Sequence, residues 1–102
     1  MTRRLEFLDE ALEEAEQAAH WYAERNAMAA IGFAEELSAA VAHIERSPLT
    51  WPVYEYGTRR FLLRRFPYSV IYRVEVNRIV IVAVAHGHRY PGYWRSRSKD
   101  PG

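Results

Sequence analysis

Cysteine is absent, lysine occurs only at Lys99, and the chain holds just five glycines and five prolines. Without cysteine there is no disulfide framework and no thiolate metal site, which suits a reducing compartment. With one lysine, nearly every positive charge is an arginine, whose planar fork suits bidentate contacts to phosphate or carboxylate. No run of about 18 apolar residues occurs, so no membrane span is expected. The N-terminus lacks the apolar stretch of a secretory signal, and a cytoplasmic location is expected. Internal repeats and low-complexity segments are missing as well.

What is present fits one small folded unit. The 102 residues are 49% hydrophobic and 26% charged, enough for one modest core and too few for two. A single domain is expected over 1–97, with 98–102 as a flexible tail. The net charge of +1 hides a division along the chain. Residues 1–50 carry four arginines against ten acids, a net −6, and residues 51–102 carry ten bases against three acids, a net +7. Such a chain can present a basic face to a polyanion or an acidic partner.

Arg4 to Leu8 alternates briefly, as an edge strand would. Asp9 reads as a helix N-cap followed by Glu10, Glu13 and Glu14, and Leu12, Ala15, Ala19 and Tyr22 form an apolar stripe on a helix reaching about Glu24. Arg25-Asn26 breaks the pattern. A second helix is expected over 27–46, where Ala30, Phe33, Leu37, Val41 and Ile44 recur at helical spacing. Two amphipathic helices on so short a connection make an antiparallel hairpin. Pro48, Pro52 and Gly57 then mark a loop.

Three strands follow. Arg59–Arg65 alternates imperfectly until Phe66-Pro67 interrupts it. Val70, Tyr72, Val74 and Val76 alternate with Ile71, Arg73 and Glu75, and Asn77-Arg78 suits a tight hairpin. Ile79 to Ala85 is apolar on both faces, as in a central strand covered on each side. The order β-α-α-β-β-β gives an α+β fold, with an N-terminal edge strand and a helical hairpin packed on an antiparallel β-sheet.

The chemistry-bearing residues gather late in the chain. His86 and His88, two apart at a strand end, could share general acid and base work on a phosphodiester. Arg64, Arg65 or Arg89 would then stabilise developing charge. A strand-end histidine is otherwise a structural hydrogen-bonding residue. With no third ligand near His86 and His88, neither a metal nor another cofactor is expected. Tyr93 and Trp94 could stack on bases or fold back over the sheet. His20 and His43 read as surface residues, and Trp21 and Tyr22 as packing.

The element order, the Trp21-Tyr22 pair, the segment Arg65-Phe66-Pro67-Tyr68 leading to Tyr72-Arg73-Val74, and the ending from Ala85 to Trp94 together resemble the RelE/ParE superfamily of bacterial toxins, nearer ParE and its plasmid-stabilisation members. The resemblance implies the toxin of a type II toxin-antitoxin pair, bound by a cognate antitoxin. ParE-like members inhibit DNA gyrase, whereas RelE-like members cut mRNA on the ribosome with a basic cluster. On the RelE pattern, Arg60 and Arg64 fall near basic positions of the second strand and Arg89 on the C-terminal arginine. Ser69 stands where an arginine is usual, and Leu62 at another basic position. These departures favour the gyrase reading over cleavage. If the protein is a nuclease, the catalytic candidates are His86, His88, Arg89 and Arg65. The binding candidates are Arg60, Arg64, Tyr68, Tyr93, Trp94 and Arg95. A homodimer, a toxin-antitoxin hetero-oligomer and an attenuated, purely binding member all stay open.

Overall fold

A computed structural model describes residues 3–97, and the tail expected at 98–102 lies outside that range. Strand β1 is Arg4–Phe7, helix α1 Asp9–Arg25, helix α2 Ala27–Arg46, β2 Arg59–Leu62, β3 Tyr68–Val74 and β4 Arg78–His86, with one 3-10 turn at Glu55–Gly57. The α+β architecture is the one expected. Its sheet runs β1-β4-β3-β2, and the last three strands form the antiparallel meander.

The edge strand β1 is present, but it pairs with β4 in parallel, so the sheet is mixed. The chain reverses between the helices and then at each step to β2, β3 and β4, and those reversals bring β4 back to the direction of β1. Pairing covers only Arg4–Phe7 against Arg78–Ile81. Leu8 then donates its N–H to the Ile81 carbonyl at 3.0 Å and turns the chain into α1.

Both helix ends are explained by backbone donors. Leu8, not Asp9, occupies the N-cap of α1, and no side chain caps it. Asp9 is instead the first helical residue, where the helix dipole favours its charge. Asn26 alone joins the two helices. Its N–H donates to the Tyr22 carbonyl at 2.7 Å, and its Oδ1 accepts from the N–H groups of Met28 at 2.9 Å and Ala29 at 3.2 Å.

The apolar stripe of α1 is turned by one position from the expected one. Ala11 and Ala18 are fully buried and Ala15, Ala19 and Tyr22 partly, while Leu12 is 47% exposed. Alanines at the contact let α1 sit close to the sheet, and Leu12 would hold it away. On α2, Phe33, Ala40 and Ile44 are buried. They meet Val70, Tyr72, Ile79, Ile81 and Val84, and Tyr22, Phe66 and Tyr68 surround Phe33 with ring centroids 5.2–5.5 Å from it.

Ile79 to Ala85 is buried on both faces, as expected. The second face, Ile71, Val80, Val82, Ala83 and Ala85, packs against Leu8 and Trp94 with Tyr54 and Tyr93 alongside. Two neighbours, Val82 and Ala83, share that face because a β-bulge lies between the Tyr72↔Ile81 and Ile71↔Ala83 pairs. The cover on this face is irregular. Tyr54 stacks on Trp94 at 5.6 Å, and Tyr56, with a left-handed φ of 58°, lies over Gly92. A Cβ at Gly92, whose φ is +85°, would come within 2.5 Å of the Tyr56 ring.

Candidate functional site

β1 accompanies β4 for only half its length, and this shapes the neighbourhood of the late basic residues. Beyond Ile81 no strand among the described residues lies on that edge, and α1 runs there instead. Glu14 reaches down and accepts the Val84 N–H at 2.9 Å through Oε1. Arg97 donates from Nη1 to the Val82 carbonyl at 2.8 Å and binds both Glu14 oxygens, at 3.0 and 2.7 Å. Together the two side chains offer β4 one acceptor and one donor, as a neighbouring strand would. Tyr93 donates its hydroxyl to Glu14 Oε2 at 2.7 Å, and burial first, then that hydrogen bond, pushes its pKa well above the usual phenol range. The C-terminal segment is thereby tied to α1.

Past this clamp the edge opens into a cleft of about 360 Å³ between α1, the ends of β3 and β4, and the C-terminal segment. Gln17 and Trp21 line one wall, Tyr68 and His86 the floor, and Arg89 and Tyr93 the other wall. Arg89 lies over the Tyr93 ring at 3.8 Å. His86 Nδ1 accepts the His88 N–H at 3.0 Å, and the two imidazoles are 4.8 Å apart. Burial raises the Tyr68 pKa, and among the described residues its hydroxyl has no hydrogen-bond partner.

The other basic candidates lie elsewhere. Arg64 and Arg65 sit beside α2, where the Glu36 carboxylate accepts both backbone N–H groups and the Arg65 Nε, the last at 3.0 Å. Burial works to raise the Glu36 pKa, but these hydrogen bonds outweigh it and hold the carboxyl below its ordinary value. Arg60 lies over the Tyr54 ring at 4.2 Å and lines a second, smaller recess of about 150 Å³ shared with Ser69, His86, Arg89 and Trp94. Arg95 donates to the Tyr56 hydroxyl at 3.2 Å. Trp94, read from the sequence as a binding candidate, is 3% exposed and belongs to the core of the second sheet face.

The structure therefore brings His86, His88, Arg89, Tyr68 and Tyr93 together, sets Arg60 behind them, and puts Arg64, Arg65 and Arg95 apart. It also adds Glu14, Gln17, Trp21 and Arg97 to the neighbourhood. Glu14 carried a signal: it falls at helical spacing with Ala11 and Ala18, so it shares their inward side. A residue on a buried stripe needs partners, and Arg97 is one.

A family model described as the ParE toxin of the type II toxin-antitoxin system parDE matches residues 5–91. The chain belongs to the ParE toxin family. It is the toxin type of a type II toxin-antitoxin system, with an antitoxin as the partner that the family implies. A solved structure of the chromosomal ParDE toxin-antitoxin system from P. aeruginosa has the same fold as this ParE chain, with a TM-score of 0.74 at 18% identity. The match covers 83% of this chain and 96% of that one. No curated protein matches it in sequence.

Proposed function

We propose that this ParE-family toxin acts by binding proteins, inhibiting DNA gyrase, and that a cognate antitoxin neutralises it in the cytoplasm. The observation that carries this reading is the dispersal of its arginines. Cleaving a phosphodiester calls for several positive groups converging on one phosphate. Here the Arg65 guanidinium is tied to Glu36, Arg64 sits on the same turn with its backbone N–H donated to that carboxylate, Arg60 faces Tyr54 and Arg95 faces Tyr56. Among the described arginines, only Arg89 lines the cleft with His86. Ser69, where an arginine would add a further charge, is 8% exposed and lies at the recess beside Arg60.

For the antitoxin, the helical hairpin offers an apolar groove of about 350 Å³ lined by Phe7, Ala15, Ala19, Phe33, Leu37 and Val41. Leu12, Met28 and Ile31 are exposed on the same two helices. By length and composition alone α2 could cross a membrane, yet Glu35 and Glu36 interrupt its middle. An amphipathic helix of the antitoxin would bury this surface.

The test is a supercoiling and cleavage-complex assay with purified gyrase. Inhibition by the toxin, relieved by the antitoxin encoded beside its gene, is the expected result. Gyrase left untouched at toxin excess would refute the proposed target.

A second reading, ribosome-dependent mRNA cleavage, draws on the meeting of His86, Tyr68 and Arg89 in one cleft. It requires new 5′ ends in translated mRNA that disappear in His86→Ala and Arg89→Ala variants. Unimpaired growth at high toxin levels, without antitoxin, would instead mark an attenuated binding module.

A further inference from the structure

β4 has one edge that is covered in three different ways along its length. β1 pairs with it from Arg78 to Ile81. Glu14 and Arg97 then take the Val84 N–H and the Val82 carbonyl. Beyond Val84 comes the open cleft, and nothing among the described residues continues the ladder.

The backbone groups left in that cleft follow from the register. The Val84 N–H points to Glu14, away from β3, while the Gly87 N–H points the other way, to the Pro67 carbonyl at 2.7 Å. Antiparallel alternation then sets the Val84 carbonyl and the His86 N–H on the outward edge, whereas the His86 carbonyl accepts the Arg89 N–H at 3.0 Å and closes the turn after β4. The Val84 carbonyl and the His86 N–H are one short ladder segment, which a single residue of an extended chain can bridge with its own N–H and carbonyl. An edge of this kind is a template for another extended chain.

The walls state what that chain should carry. Arg89 is exposed, lies on Tyr93, and has no carboxylate partner among the described residues. His86 stands beside it, and the free Tyr68 hydroxyl and the Gln17 side chain add polar groups. Glu14 is fully engaged with Arg97, Tyr93 and Val84, so it leaves little negative charge to repel an acid.

We infer that this half-edge is a docking site for an extended, carboxylate-bearing peptide segment, which adds alongside β4 over Val84 to His86 and sets its acid against Arg89. The ladder groups hold the backbone and Arg89 selects the charge. A nucleic acid could satisfy Arg89, but it offers no backbone matching the spacing of the outward Val84 and His86 groups. The inference rests on the reading that this toxin acts by binding proteins.

The test is an NMR titration of the full 15N-labelled chain with an acetylated, amidated pentapeptide of alternating valine and aspartate. Shifts centred on the Val84, His86 and Arg89 amides are expected. Affinity should fall at least about tenfold, near 1.4 kcal/mol, when the alternate peptide amides are N-methylated, and equally in Arg89→Ala. Arg89→Lys, which keeps a charge, should retain part of it. The proposal is overturned if N-methylation has no effect, if the shifts centre on β2, if inorganic phosphate or a dinucleotide produces the same shifts with equal affinity, or if no shift occurs up to about 5 mM peptide. Because gyrase is absent from this titration, gyrase inhibition can fail while peptide binding stands, and the reverse.

Discussion

Two helix carboxylates, Glu14 on α1 and Glu36 on α2, do the same work at opposite sides of the sheet. Each reaches from a helix to the margin of the sheet, Glu14 accepting the Val84 N–H and Glu36 those of Arg64 and Arg65, donors that no strand among the described residues takes. Their surroundings differ. Glu14 is 16% exposed and its partner Arg97 14%, with Tyr93 closing over them; Glu36 is covered as well, at 14%, but its partner Arg65 is 65% exposed. One pair is a buried joint that fixes the C-terminal segment. The other is an open brace on the Arg64-Arg65 turn. The depth of an ion pair decides what its loss costs: a half-removed buried pair strands a charge, and an exposed one returns to water.

The comparison is sharpest in Glu14→Ala. It leaves the Val84 N–H without a partner and Arg97 without its counter-charge, with the Val82 carbonyl as its remaining acceptor, in a largely buried place, and urea unfolding should show a loss of about 3 kcal/mol. Glu14→Ala together with Arg97→Ala should recover part of that loss; an additive result would mean the two do not act as a pair. Glu36→Ala, which frees two backbone donors within reach of water, should cost about 1.5 kcal/mol by the same measurement. If Glu36→Ala proves the costlier, the contrast drawn from burial is wrong. Tyr93→Phe removes one hydrogen bond to Glu14 and should cost about 1 kcal/mol, with the peptide affinity of the cleft little changed.

The smallest effect is tied to pH. Hydrogen bonding holds the Glu36 pKa below its unfolded value near 4.5, so its contribution is present above that pH and is lost as pH falls through the folded value. The stability gap between the wild type and Glu36→Gln should therefore shrink on acidification below about pH 4.5. A gap that widens there would reverse the sign assigned to Glu36. Glu75, lowered chiefly by its hydrogen bond from Arg78, fades in the same direction.

Local patterns in the sequence reached the elements and stopped at their relations. The 27–46 helix, the break at Asn26 and the two-faced burial of Ile79–Ala85 were legible, because periodicity and capping are written in neighbouring residues. The direction of β1 was not, since pairing over more than 70 positions leaves no local trace. The bulge at Val82 was hidden in a run apolar on both faces, where a one-residue slip changes no pattern. At the site, His86, Arg89 and Tyr68 could be named from the sequence. Glu14 escaped because a first-turn role explained it well enough. Arg64 and Arg65 looked like site residues for want of any view of Glu36, the acid from α2 that takes both backbone N–H groups and the Arg65 guanidinium.

Asn26 serves as the last cap of one helix and the first of the next, so the hairpin has no slack. One residue more or fewer at this joint, unless extruded as a loop, would turn α2 about its axis by about 100°. Phe33 and Ile44 would then rotate off the sheet. The two helices are thus locked in phase like meshed gears, and the length of this connection is fixed as firmly as any side chain in the core.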